Sequence, residues 1–219
     1  MPSSPVPARR LTADQRRAQI LDSARELMRE RGLDEVSVES AAEQAGVSPG
    51  LLFHYFGSQR GFRDAVVELV GRELLEYVAP DPRLSPSAQL RTGIERFTDF
   101  VARHPTLYQA VVRHGARGGP GRMATLHRTA RATLGDWIAG AVAAAGAERT
   151  ARVELAVAGW LAFMEEAVLG WLAGAALTHD DLVELCESTA YRVLESAVAD
   201  PAHWPAVRTA LDLPPHPGS

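Results

Sequence analysis

The residue whose neighbours most suggest reactivity is Ser48. Gly46-Val47-Ser48-Pro49-Gly50 has the G-x-S-x-G spacing of a hydrolase nucleophile elbow. That chemistry needs a strand running into the turn, so that the serine is lifted from a sheet edge toward its base. Here the turn is entered from Glu39–Ala45, a run of helix formers, and Pro49 suits the first position of a second helix. Ser48 therefore reads as a helix N-cap and not as a nucleophile. Gly118-Gly119-Pro120-Gly121 lacks the Gly-Lys-Ser/Thr that completes a phosphate loop. Cys186 is the single cysteine, which excludes an internal disulfide and a multi-cysteine metal site. No nucleophile–base–acid set appears, and neither an enzyme, a cofactor nor a metal is expected.

The same segment, Ser37 to Phe56, offers a binding surface instead. Ser37 is a good N-cap for a first short helix. Ala42 is small where another helix must pass closely. Gly46 supplies the left-handed backbone that a sharp corner demands, and Val47 plugs that corner. Ser48 and Pro49 then start a second short helix. Leu52 and Phe56, four residues apart, are expected to face the core, which leaves Pro49, Gly50, Leu51, His54 and Tyr55 outward. A two-turn helix is not stable alone. Held by neighbours with a polar and aromatic face outward, it has the form in which a helix-turn-helix enters a major groove.

The elements that must hold this segment are helical almost throughout, and the chain reads as all-α. Among its 219 residues 46% are hydrophobic and 23% charged, enough for a substantial core. Helix periodicity predicts Asp14–Arg31, with Ile20, Ala24, Leu27 and Met28 on one stripe and Gly32 as cap. A linker over Leu33–Ser37 follows, then helices over Val38–Ala45, Pro49–Tyr55 and Gln59–Val78, the last with Phe62, Val66, Leu69 and Val70 inward. Asp81-Pro82 and Ser85-Pro86 mark a break. Beyond it helices are expected over Ser87–Arg103, Pro105–Arg113, Arg122–Ala144, Arg149–Ala175 and Asp180–Ala199. Gly115–Gly121 reads as a loop, and the proline-rich tail as partly ordered around Ala206–Leu211. The expected organisation is a flexible arm over 1–12, a helix-turn-helix domain over 13–60 with a linking helix to about 78, and a C-terminal domain over 79–219.

Net charge is −4, and all 23 basic residues are arginine, so the chain is no general polycation. Nucleic-acid binding must come from a local patch. Residues 1–60 hold eight arginines against eight acids, so placement decides. The proline- and serine-rich start has no apolar stretch of a signal peptide. The apolar run Leu155–Leu177 is interrupted by Glu165 and Glu166, which argues against a membrane span. A soluble cytoplasmic protein is expected.

The stretch from about Gln15 to Val70 resembles the DNA-binding domain of the TetR family of transcriptional regulators. The resemblance rests on Ile20, Ala24 and Gly32, then Ser37-Val38 and Ala41-Ala42. It continues through Ala45-Gly46-Val47-Ser48, Gly50, Leu52-Phe53-His54-Tyr55-Phe56, Ser58 and Phe62. It implies a homodimer on a pseudo-palindromic double-stranded operator, a small-molecule effector bound by the C-terminal domain, and release of DNA on binding. Gly50, Leu51 and His54 match positions that touch base edges; Phe53, Tyr55, Gln59 and Arg60 match positions that touch the backbone. With Ser37, Ser48 and Pro49 they form the expected DNA-binding set. Phe53 stands where the family usually has tyrosine, and Gln59 where it has lysine, so a hydroxyl and a cation are missing. Arg60, Arg16 and Arg17, with Arg9 and Arg10 as a minor-groove arm, are the candidate compensations.

Aromatic and soft residues recur on the C-terminal helices. Taken singly they are ordinary core. The resemblance makes Phe97, Phe100, Tyr108, Trp137, Trp160, Phe163, Met164 and Glu165 the candidate effector set, with Met123 and Trp171 nearby. His104, His114, His127, Glu165 and Glu166 are the available polar groups. Either glutamate inside an aromatic pocket would favour a cationic lipophilic effector. Small residues Ala156, Ala158, Gly159, Ala162 and Ala167, with Leu182, Leu185, Thr189, Val193 and Leu194, are expected to build a four-helix dimer interface. The rival reading is a ligand-binding or interaction module whose DNA binding has degenerated at Phe53 and Gln59.

Overall fold

The computed structural model describes residues 11–31, 36–116, 121–198 and 202–213. Among them the chain forms ten α-helices and no strand: α1 Ala13–Arg31, α2 Val38–Ala45, α3 Pro49–Phe56, α4 Gln59–Val78, α5 Pro86–Arg103, α6 Pro105–Ala116, α7 Arg122–Ala144, α8 Ala151–Leu172, α9 His179–Ala197 and α10 Trp204–Ala210. The chain divides into two compact units, residues 1–70 and 71–219, and the division falls inside α4. The arm with Arg9 and Arg10, the Gly32 cap and residues 117–120 of the glycine-rich loop lie outside the described residues, as does the side chain of His114.

The first unit is a three-helix head closed by the first half of α4. The α1 stripe is buried as its spacing demands: Ile20 and Ala24 are fully covered, with Leu27 and Met28 close to it. Leu52 of α3 and Phe62, Val66 and Val70 of α4 join them, while Leu69 is half-exposed and Ala65 and Val67 are buried in its place. Burying each large side chain contributes roughly 1.5–3 kcal/mol, which is what holds helices too short to persist alone.

The second unit is a bundle in which α8 lies between α7 and α9. Three of its helices have a local reason to start. Ser85 caps α5 ahead of Pro86, Thr150 caps α8, and Thr178 forms a capping box with Asp181 at α9. The cap at Thr150 and a turn through Gly174 (φ +99°) make α8 shorter than the apolar run implies. The core is Phe97 and Val101 of α5, Trp160, Leu161 and Met164 of α8, and Leu182 and Cys186 of α9. Trp204, Val207 and Leu211 of the C-terminal segment complete it. The Trp160 indole N–H donates to the Cys186 carbonyl at 2.9 Å, tying α8 to α9.

The helix α8 is long and apolar enough by composition to cross a membrane, and only 28% of its most apolar window is buried within the chain. Leu155, Ala158, Gly159, Ala162, Glu166 and Gly170 lie exposed along it. Its charged Glu165, by contrast, turns inward.

Candidate nucleic-acid interface and effector cavity

The corner between α2 and α3 is built as a left-handed cap. Gly46 sits at φ +65°, ψ +36°, its N–H directed at the Ala42 and Glu43 carbonyls, and Val47 N–H reaches Ala42 O at 2.9 Å. At the other end of α2, Ser37 and Ser40 exchange hydrogen bonds: each hydroxyl accepts the other's backbone N–H, at 3.0 Å. Ser37 is therefore engaged locally.

Ser48 occupies the N-cap position of α3 with an extended backbone, but its side chain makes no capping hydrogen bond. The expected Ser48 cap is corrected here. Pro49 at the first position has no N–H, and Leu51 N–H bonds the Ser48 backbone carbonyl instead. The Ser48 hydroxyl is left at an exposed site beside the exposed Pro49 and Gly50.

Along α3, Leu52 is buried, Phe53 and His54 are exposed, and Leu51 and Tyr55 are half-buried. The rings of His54 and Tyr55 meet edge to face at 5.4 Å. Phe56, expected in the core, is only half-buried: its ring packs on Phe62 at 5.2 Å and the Arg17 guanidinium lies 5.1 Å over its other side. Pro49, Gly50, Phe53 and His54 thus form an exposed band, with Arg17 next to Phe56 and exposed Arg60 at the start of α4.

Gln59 does something its sequence position did not suggest. Its Oε1 accepts the backbone N–H of Val38 at 2.9 Å, across the start of α2. Four residues on, Arg63 Nε donates to the Val36 carbonyl at 3.3 Å. The first turn of α4 thereby grips both backbone groups that flank Ser37. Ser58 Oγ accepts Gly61 N–H at 3.0 Å and starts α4. Gly61 is required for space: a Cβ there would stand 2.3 Å from the Phe56 carbonyl oxygen. The Gln59–Val38 and Arg63–Val36 contacts have no sequence signature, because each joins residues distant along the chain through the fold.

In the second unit an apolar cavity of about 110 Å³ lies among α5, α7, α8 and α9, with Leu211 and Leu213 on one side. Of the candidate effector residues, Phe97, Trp137, Trp160 and Met164 line it. Phe100 instead pairs with the His104 ring at 4.7 Å. Tyr108 stands behind the wall, its ring edge-on to Phe97 at 5.6 Å, and its buried hydroxyl has no hydrogen-bond partner among the described residues. Burial raises the pKa of that hydroxyl well above the ordinary tyrosine value. Phe163 packs on the core but does not face the cavity. Glu165 is not a cavity residue either. Its two oxygens take His127 Nε2 at 2.9 Å and Arg131 Nη1 at 2.7 Å, and Arg131 also reaches the Ala158 carbonyl. Glu166 is exposed on the open face of α8. Lining residues that the aromatic pattern did not single out include Leu90, Ile94, Leu134, Ile138, Tyr191 and Leu213.

Comparison with known proteins gives matches in both units. The family model "Bacterial regulatory proteins, tetR family" matches residues 20–66, and "Tetracyclin repressor-like, C-terminal domain" matches residues 86–197. The HTH-type transcriptional regulator BetI of Cronobacter sakazakii is 34% identical over 77 residues, 35% of this chain and 37% of that protein. The HTH-type transcriptional activator FasR of Mycolicibacterium smegmatis is 30% identical over 104 residues, 47% of this chain and 48% of that protein. The matched segments thus span less than half the length of these curated relatives. A tetR-family regulator structure from Streptomyces coelicolor superposes with a TM-score of 0.75 at 28% identity, covering 95% of this chain and 93% of that one. A TetR-like regulator from Rhodococcus sp. RHA1 superposes with a TM-score of 0.57 at 29% identity, covering 84% and 98%.

Proposed function

The chain belongs to the tetR family of bacterial regulatory proteins, and from that premise we propose that it is a ligand-responsive transcriptional repressor that binds a pseudo-palindromic operator as a homodimer in the cytoplasm. The observation that carries this reading is the outward face of α3. Pro49, Gly50, Phe53 and His54 are exposed on a helix locked below by Leu52 and turned by Gly46. Such a face has the shape and exposure that major-groove reading requires.

Gly50, Leu51 and His54 are assigned to base edges: Leu51 to a thymine methyl, His54 to a guanine or a phosphate. Ser48, Phe53, Tyr55 and Arg60 are assigned to the sugar–phosphate backbone. Ser37 and Gln59 act on the site through α2, which they hold in place, and Arg17 supplies a cation beside Phe56. The second protomer is supported by the unburied apolar face of α8, where Leu155 is 75% exposed. A copy of the same helix covers that face, and two α3 helices then reach successive grooves about 34–36 Å apart. The effector enters the cavity lined by Phe97, Trp137, Trp160 and Met164. Its binding shifts α4, a helix of 20 residues and so ~30 Å long, whose start grips α2. A ligand that prefers the non-binding arrangement shifts the population away from DNA.

The engagement of Gln59 with Val38 keeps one rival in play, a module that has lost operator binding. Binding-site selection followed by gel-shift titration separates them. A selected palindromic site retarded specifically, with affinity falling steeply as salt rises, supports the repressor. Recovery of no enriched sequence, with equal weak retardation of all DNA, would establish the rival instead. A reporter under the selected site then reads the sign: repression is expected, activation would reverse that part.

A further inference from the structure

From the lining of the cavity we infer that it takes an uncharged, apolar molecule, held on one side by the chain's own C-terminal turn, Leu211–Leu213. This rests on the effector reading above and specifies its chemistry.

Among the described lining residues none is charged. Three of the polar ones turn a donor to the protein. Trp160 N–H goes to the Cys186 carbonyl, Gln89 Nε2 to the Leu84 carbonyl at 2.8 Å, and Tyr191 O–H to Glu187 at 2.6 Å. Two carboxylates adjoining lining residues are ion-paired, Glu187 with Arg91 at 2.7 Å and Glu165 with Arg131 and His127, while Asp212, outside the lining set, takes the Ser87 hydroxyl at 3.4 Å. An ionic ligand would lose its hydration and meet no counter-charge among the described lining residues. The pairing of Glu165 thus removes the reason to expect a cation. What remains is contact with Leu, Ile, Met, Phe and Trp side chains, which selects for hydrocarbon surface.

The wall formed by Leu211 and Leu213 is fastened at its base. Ser87 N–H donates to the Leu211 carbonyl at 3.1 Å and Ser87 Oγ reaches Asp212 at 3.4 Å. Asp212 takes a left-handed backbone, φ +55°, so that Leu213 turns back toward the cavity. The C-terminal turn is therefore part of the binding site.

The test uses the full-length protein, N-phenyl-1-naphthylamine as fluorescent probe, and three competitors of one chain length: 1-decanol, decanoate and decyltrimethylammonium. Emission of the probe and quenching of Trp137 and Trp160 report occupancy. We expect 1-decanol to displace the probe at a concentration at least about tenfold below either ion, a difference of about 1.4 kcal/mol. Ala141 is exposed at the rim, so Ala141→Phe should plug the opening, weaken probe binding about tenfold and leave the melting temperature unchanged. Leu134→Phe fills the same space from the wall and replaces it if the first variant unfolds. Either ion competing as well as 1-decanol, or probe binding that both folded variants leave intact, overturns the inference. Operator gel shifts run alongside keep the two readings apart. Selective binding of 1-decanol with no effect on operator affinity retains the ligand chemistry and sinks the effector role. Failure of the wild type to bind any operator sinks the regulator and leaves the probe data standing.

Discussion

Individual side chains do three kinds of work here, and each kind predicts a different response to substitution. His54 is exposed on the reading face and Arg60 at the start of α4. His54→Ala should erode discrimination between selected and mismatched sites by about 1–3 kcal/mol. Arg60→Ala should weaken all sequences alike and flatten the salt dependence. Fluorescence anisotropy on a selected and a scrambled duplex reads both, and parallel losses on the two duplexes for both variants would void the assignment. Gln59 belongs to a second kind. Its Oε1 caps Val38 N–H, so Gln59→Leu should cost about 1 kcal/mol, as loss of a cap does, while Gln59→Glu keeps an acceptor and should fold as the wild type. Urea unfolding distinguishes them; equal stability of the leucine variant would mean the contact contributes nothing. Tyr108 is a third kind, a buried hydroxyl with no partner among the described residues. Removing an unpaired buried polar group relieves its desolvation penalty, so Tyr108→Phe should raise stability by about 1 kcal/mol. A lower melting temperature for that variant would show that the hydroxyl finds a partner in solution. The N-cap role of Ser37 was readable from its type and place, but the partners of Gln59 and Glu165 were not. A side chain's identity says what it can bond, and only the neighbouring helix says what it does bond.

At the scale of elements, helix ends and corners follow short-range chemistry. Gly46 at φ +65° has open space around its missing Cβ, so only the backbone conformation opposes substitution. Gly46→Ala should cost about 1–2 kcal/mol without displacing a neighbour. Gly61 differs, because the Phe56 carbonyl fills the place of a Cβ. Gly61→Ala should push the end of α3 from α4 and lower operator affinity more than it lowers the melting temperature. A crystal structure or an affinity measurement showing α3 unmoved would refute this. The α8–α9 pair offers a different probe. Cys186 is fully buried, and burial pushes its thiol up to about 11. The thiolate is the reactive form, so at neutral pH the native thiol should resist 5,5′-dithiobis(2-nitrobenzoate) and react only as the second unit opens. Rapid labelling of the folded protein would contradict the packing described. The corner at Gly46 and the spans of α2, α4 and α7 were legible in sequence because caps, turn residues and a 3.6-residue period act within a few residues. The Ser48 cap was not legible in this way: Ser85 caps α5 ahead of Pro86, but in the same Ser-Pro arrangement at α3 Leu51 N–H bonds the Ser48 carbonyl and the hydroxyl is left out.

The whole molecule is more than one chain in this reading. Leu155 stands three-quarters exposed on an apolar helix, which gives a protomer good reason to pair. Leu155→Arg should leave the protomer folded, as an exposed position tolerates charge, yet shift sedimentation toward monomer and weaken operator binding by orders of magnitude, since two half-sites must be held together. An unchanged sedimentation profile would place the interface elsewhere. The amino-acid sequence by itself determined the all-helical architecture, the glycine-turned corner and the exposure of Pro49, Gly50 and His54, though not that of Phe53 or the partial burial of Leu51 and Tyr55, because helix period, capping and turn conformation are set by neighbours along the chain. Tertiary structure alone decided that Glu165 turns in to His127 and Arg131 while Glu166 stays out. It also decided that the first turn of α4 holds α2, and that Leu211 and Leu213 wall a cavity begun more than a hundred residues earlier. Those outcomes depend on which helix faces meet, and contacts between residues far apart in sequence are chosen by packing the full set of side chains together.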